Sequence, residues 1–115
     1  MKDFMFLFRG PEDIKLTPEQ SQLQMQQWMN WIHELTGKGH FVGGAPMVKE
    51  GKILKGTNPV VTDGPFAEGK ELLGGFLLIR AGSMKEATEL AYGYPDFDKA
   101  CSVEVRELVP IPVHS

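Results

Sequence analysis

Residues 3–9 read Asp3-Phe4-Met5-Phe6-Leu7-Phe8-Arg9, five apolar side chains in a row between two charges. As an extended strand this run sends Phe4, Phe6 and Phe8 to one side and Met5 and Leu7 to the other. Leu73 to Arg80 repeats the pattern, with Phe76 and Leu78 on one side and Leu77 and Ile79 on the other. A sheet that is wet on one face alternates apolar with polar residues, and these two strands have no polar face. Burying a side chain of this size stabilises by about 1.5–3 kcal/mol, so both faces call for cover. Two helices can cover one of them.

The rest of the chain supplies those helices. Thr17-Pro18-Glu19-Gln20 carries a capping threonine, a proline suited to the first helical position and a glutamine that completes a capping box. Met25, Trp28, Met29, Ile32 and Leu35 follow at helical spacing and predict the buried stripe, with Gly37 and Gly39 at the exit. A strand is expected over His40–Val48. A hairpin follows, turning at Gly51-Lys52, returning through Val60-Val61-Thr62 and ending at Asp63-Gly64-Pro65-Phe66, because Pro65 cannot donate to a ladder. Gly74-Gly75 marks a bulge or a close backbone approach. Ser83 with Glu86 opens a second helix that buries Met84, Ala87, Leu90 and Ala91, and Tyr94-Pro95 closes it. The last strand runs from Ser102 to Leu108.

The order is therefore β-α-β-(hairpin)-β-α-β, an α+β ferredoxin-like sandwich with an inserted hairpin. All 115 residues form one domain in this reading. The uncovered sheet face predicts a homodimer packed sheet to sheet; the alternative is an insert folded back over that face.

Composition narrows the function classes. Apolar residues make up 42% and charged residues 23%, ordinary for a globular chain. Twelve basic against fifteen acidic side chains give a net charge of −3, without the basic excess that nucleic acid or anionic lipid would select. The apolar run at Phe4–Phe8 is shorter than the roughly 7–15 residues of a secretory signal or the roughly 20 of a membrane helix. A cytoplasmic location, with no membrane and no nucleic-acid partner, is the expectation. One cysteine, Cys101, excludes an intrachain disulfide.

Chemistry-bearing motifs are sparse. His33, His40 and His114 are scattered, and neither a Cys pair nor a zinc-protease motif is present, so no metal is expected. No nucleophile elbow, P-loop or dinucleotide fingerprint occurs, and no cofactor is expected. Asp63, Glu68 and Glu71 crowd one inter-strand segment, where a carboxylate can act as a base or simply stabilise the turn. Arg9, Arg80 and Arg106 sit in or at the ends of strands, placed to clamp an anion or to pair with neighbours such as Glu104.

Three blocks carry a resemblance: Gly39-His40-Phe41-Val42-Gly43-Gly44-Ala45-Pro46, then Val61 through Phe76, then Val103-Glu104-Val105-Arg106. With them the chain resembles the YCII-related family, in the branch named for its DGPF motif. The resemblance implies a dimeric α/β-barrel, a mainly bacterial distribution, largely unassigned activity and, for some members, association with a sigma factor. Better-studied members carry a histidine on the first helix and an aspartate before the last strand as an acid/base pair. Aligned on Gly39 and Pro95, those positions are Trp28 and Tyr94, so the pair is replaced here.

Three functions follow as expectations. The first is a dimer, regulatory in one version, that binds a small molecule in a pocket lined by Trp28, Trp31, Phe66, Phe76 and Tyr94, with Asp63, His40 or Arg80 orienting the ligand. The second is a cofactor-independent enzyme in which Asp63 or His40 moves a proton. The third is a protein-interaction module for a sigma factor.

Overall fold

The computed structural model describes residues 1–65, 67–68 and 71–112, the side chains of Ala67, Glu68 and Glu71 apart. Strand β1 (Lys2–Pro11) leads into helix α1 (Pro18–Gly37) and strand β2 (Phe41–Pro46). Strands β3 (Lys52–Lys55) and β4 (Val60–Asp63) form the insert, and the short β5 (Ala67–Glu68) precedes the long β6 (Glu71–Ala81). Helix α2 (Met84–Ala91), a short 3-10 turn at Phe97–Lys99 and strand β7 (Ser102–Glu107) complete the chain.

The core strands lie in the order β2-β6-β1-β7, every pair antiparallel, with β5 pairing β6. This is the ferredoxin-like arrangement that the element order predicts. Register fixes the faces: Phe6 stands opposite Leu77, and Leu7 opposite Phe76. Phe4, Phe6 and Ile79 are wholly buried, and Phe8 and Leu77 nearly so. Met5, Leu7, Phe76 and Leu78, on the other face, are half-buried. Around them lie ion pairs, Arg80 to Asp3 at 3.2 Å and Arg9 to Glu104 at 2.8 Å, with Arg106 3.2 Å from the same glutamate.

Helix α1 starts as its sequence dictates. Thr17 accepts from the Gln20 backbone N–H at 3.1 Å, and the Gln20 side chain accepts from Thr17 N–H at 2.9 Å. Its buried stripe differs from the expected one. Trp31 and Leu35 are the buried residues, Trp28 is half-buried, and Met25 and Met29 are exposed. The tryptophans and the methionines both fit the helical period, and the sheet's phenylalanines select the tryptophans: the Trp31 ring stacks on Phe6 at 6.2 Å, and Phe8 meets Trp28 edge-on at 5.0 Å. In α2, Ser83 caps Glu86 N–H at 3.1 Å and Ala87 and Ala91 are buried, whereas Met84 at the first turn is exposed.

The hairpin turns elsewhere than at Gly51-Lys52. Its ladder runs from Lys52↔Asp63 to Lys55↔Val60, so residues 56–59 make the turn. Gly56 takes a φ of +101°, a conformation that an L side chain resists. Gly51 closes the base instead, accepting from Gly64 N–H at 2.6 Å. None of the eight strand residues of this arm is buried, so the insert does not fold back over the sheet.

Phe8 pairs with Gly75 but Arg9 with Leu73, which leaves Gly74 as the extra residue of a β-bulge. Beside it, β2 comes unusually close to β6. Gly44 has a φ of +152°, and a Cβ there would run into the Phe76 carbonyl and Leu77. The bulge and this close approach shape the end of the sheet where the cavity lies.

Candidate functional site

A cavity of about 520 Å³ opens between α1, the ends of β1 and β2 and the start of β6, within the range of small-molecule sites. Trp28, Phe8 and Tyr94 form part of its wall, with Tyr94 against Phe8 at 4.9 Å and edge-on to Trp28 at 5.5 Å. Ile14, Met25, Met29, Met47 and Leu73 all line it and are all substantially exposed. These five make a soft, largely thioether mouth. Arg9, Glu12, Lys49 and Asp96 supply its charges, and Arg9 is already bonded to Glu104.

Asp96 is the residue that sequence reading missed. It is 5% exposed, the only buried charged residue among those described. Its Oδ2 accepts from Trp28 Nε1 at 2.7 Å and from Gln24 Nε2 at 3.1 Å. Lys99 Nζ stands 3.3 Å from the other oxygen at ion-pairing distance, out of line for a hydrogen bond. Two donors on one helix face thus share one acceptor. The carboxylate facing position 28 lies at Asp96, two residues beyond Tyr94, where the resemblance placed it. A signal was present: Gln24 and Trp28, four apart, carry N–H donors on the same side of α1 and need a common acceptor.

This arrangement fixes Trp28. The indole N–H is committed to Asp96, so its ring acts as a rigid wall and offers the cavity no titratable group. Burial, then the neighbouring Cys101 and Asp96, push the Tyr94 phenol far above its ordinary range. Burial likewise raises the Cys101 thiol, with the neighbouring Tyr94 hydroxyl lowering it in part. Both groups stay neutral at pH 7. A thiol held in that form is a poor nucleophile.

The structure gathers only part of the expected pocket. Trp28, Phe76 and Tyr94 line the cavity. Trp31 does not, because it belongs to the core at 5% exposure. Asp63 sits on the exposed arm, ion-paired to Lys52 at 2.7 Å. His40 lies outside the lining, its Nδ1 2.7 Å from the Arg80 carbonyl oxygen, and the Arg80 guanidinium pairs with Asp3. Phe66 and His114 lie outside the described residues, as do the side chains of Glu68 and Glu71. Among the described residues no three His, Cys, Asp or Glu side chains cluster as a metal site, and no helix is long and apolar enough to cross a membrane.

The family model of the YCII-related domain matches residues 4–112. The chain belongs to the YCII-related family. No curated protein matches it. Among solved structures, the 5-chloro-2-hydroxyhydroquinone dehydrochlorinase TftG of Burkholderia phenoliruptrix AC1100, in complex with 2,5-dihydroxybenzoquinone, aligns over 93% of each chain with 16% identity and a TM-score of 0.49.

Proposed function

We propose that this YCII-related protein, of the DGPF-motif branch, is a homodimer that binds an apolar small molecule in the cavity between α1 and the sheet. The observation that carries the reading is the mouth. Ile14, Met25, Met29, Met47 and Leu73 expose apolar surface to water where the cavity opens, a cost that an apolar ligand would relieve. Methionine suits such a role, because its unbranched thioether adapts to ligands of different outline. Behind the mouth, Asp96 holds the Trp28 ring in one orientation, so the wall is set before a ligand arrives. Trp28 and Tyr94 are the side-chain contacts assigned to the ligand, the Phe76 ring belonging to the opposite face of the sheet.

The dimer rests on a separate feature. Met5, Leu7, Phe76 and Leu78 form an apolar strip on the sheet face that no helix covers, bordered by the Asp3–Arg80 and Arg9–Glu104 ion pairs. A second copy laid across the same strip would bury both at once, the commonest closed symmetry for a soluble chain.

Thermal unfolding with a panel of aromatic carboxylates, alkylphenols and fatty acids tests the ligand. At 100 times its Kd a ligand stabilises by about 2.7 kcal/mol, a rise of several degrees in Tm for a chain of this size. At least one class should produce that rise, and Met29→Glu at the mouth should abolish it while leaving the unliganded Tm unchanged. No stabilisation by any class, or equal stabilisation of Met29→Glu, overturns the reading.

A further inference from the structure

The β3–β4 arm plays no part in the cavity, yet it is the most apolar exposed element of the chain. Ile53, Leu54, Val60 and Val61 are 43%, 65%, 67% and 52% exposed. Register distributes them over both faces: Leu54 stands opposite Val61, and Ile53 and Val60 are diagonal neighbours on the other side. A free two-stranded hairpin is marginally stable in water, and this one holds itself by its own ladder and the exposed Lys52–Asp63 pair. The radius of gyration is 16.2 Å, against roughly 13 Å for a compact chain of this length. An arm standing off the body contributes to that excess.

We infer that the arm is a clasp that closes on the second copy of this chain, so that each subunit of the dimer is gripped by its partner's hairpin. The inference rests on the dimer proposed above. Area points to it first. Four half-buried side chains of roughly 150–200 Å² each leave on the order of 300 Å² of apolar surface on the sheet strip, well short of the roughly 800 Å² per partner of a stable interface. The four arm residues supply apolar area of the same order, and twofold symmetry counts it twice. Charge points the same way. Residues 49–63 carry Lys49, Lys52 and Lys55 against Glu50 and Asp63, whereas the remainder of the chain is net acidic. An arm of net charge +1 with an apolar centre suits a second copy of this body, whose remainder carries −4.

Sedimentation velocity over a dilution series reads the outcome on the full chain. Wild type should sediment as a dimer at micromolar concentration, and the double variant Leu54→Asp, Val60→Asp should raise the dimer dissociation constant at least tenfold. Gln26→Asp, on the exposed side of α1, should leave it within twofold. A second readout needs no variant: amide hydrogen exchange over residues 52–63 of wild type should slow as concentration rises through the dissociation constant. A dimeric wild type with an unaffected double variant, or arm exchange independent of concentration, overturns the clasp and leaves the sheet-to-sheet dimer standing. A monomeric wild type overturns both.

Discussion

The sheet body and the hairpin arm are built from similar residues and treat them in opposite ways. In the body, Phe4, Phe6 and Ile79 are wholly removed from water by two helices. In the arm, every strand residue of β3 and β4 remains exposed, although valine, isoleucine and leucine occupy its centre. Strand propensity is satisfied in both places, and only the body adds tertiary cover. The difference teaches that β-branched composition makes a strand locally acceptable and that burial makes it stable. It also separates two energies: what holds one chain together lies in the body, and what the arm contributes requires something outside the chain.

The contrast can be broken most directly at Phe6. Phe6→Ala empties a fully buried site and should cost about 3–5 kcal/mol in urea unfolding; a loss below 1 kcal/mol would mean that the helix-covered face is not the core. Trp28→Phe is next. It keeps an aromatic wall but removes the 2.7 Å donor to Asp96, leaving a buried carboxylate one bond short, and should cost about 1–3 kcal/mol. An unchanged urea midpoint would show that Gln24 and Lys99 satisfy the carboxylate by themselves. The smallest effect belongs to the arm. Lys52→Gln breaks an exposed ion pair and should change monomer stability by less than about 0.5 kcal/mol; a larger loss in dilute solution would show that the arm supports the body directly.

Much of the fold is legible in residues 3–9 and 73–80, because period-two alternation states which side chains share a face and register then has little freedom. The Thr17/Gln20 box and Ser83 are equally plain, since capping is local chemistry written within four residues. The α1 stripe is harder. Met25 and Met29 fit a helical period as well as Trp28 and Trp31 do, and only the position of Phe6 and Phe8 beneath the helix decides between them. The turn is misplaced because Gly51-Lys52 and Gly56 through Pro59 both read as breaks, and spacing alone does not tell a hairpin's base from its tip. The site was least legible. Its cavity is lined in part by the bulge at Gly74, and its one buried charge, Asp96, meets donors 68 and 72 residues away. Partners so distant in sequence leave a pattern only on the donor side, where Gln24 and Trp28 stand four apart on α1. Asp63 and His40 drew attention by their motif and position, yet the fold sets both outside the cavity.

The bulge at Gly74 carries a consequence for kindred chains. From Gly75 to Ala81 the odd-numbered residues of β6 face the helices; before the bulge Leu72, opposite Gly10, takes the inward phase in place of Leu73. A relative that kept this length but paired without the bulge would retain every leucine and yet turn Leu73 rather than Leu72 toward the hollow. At this position, pairing register rather than residue identity is the variable through which one scaffold can alter the shape of its chamber.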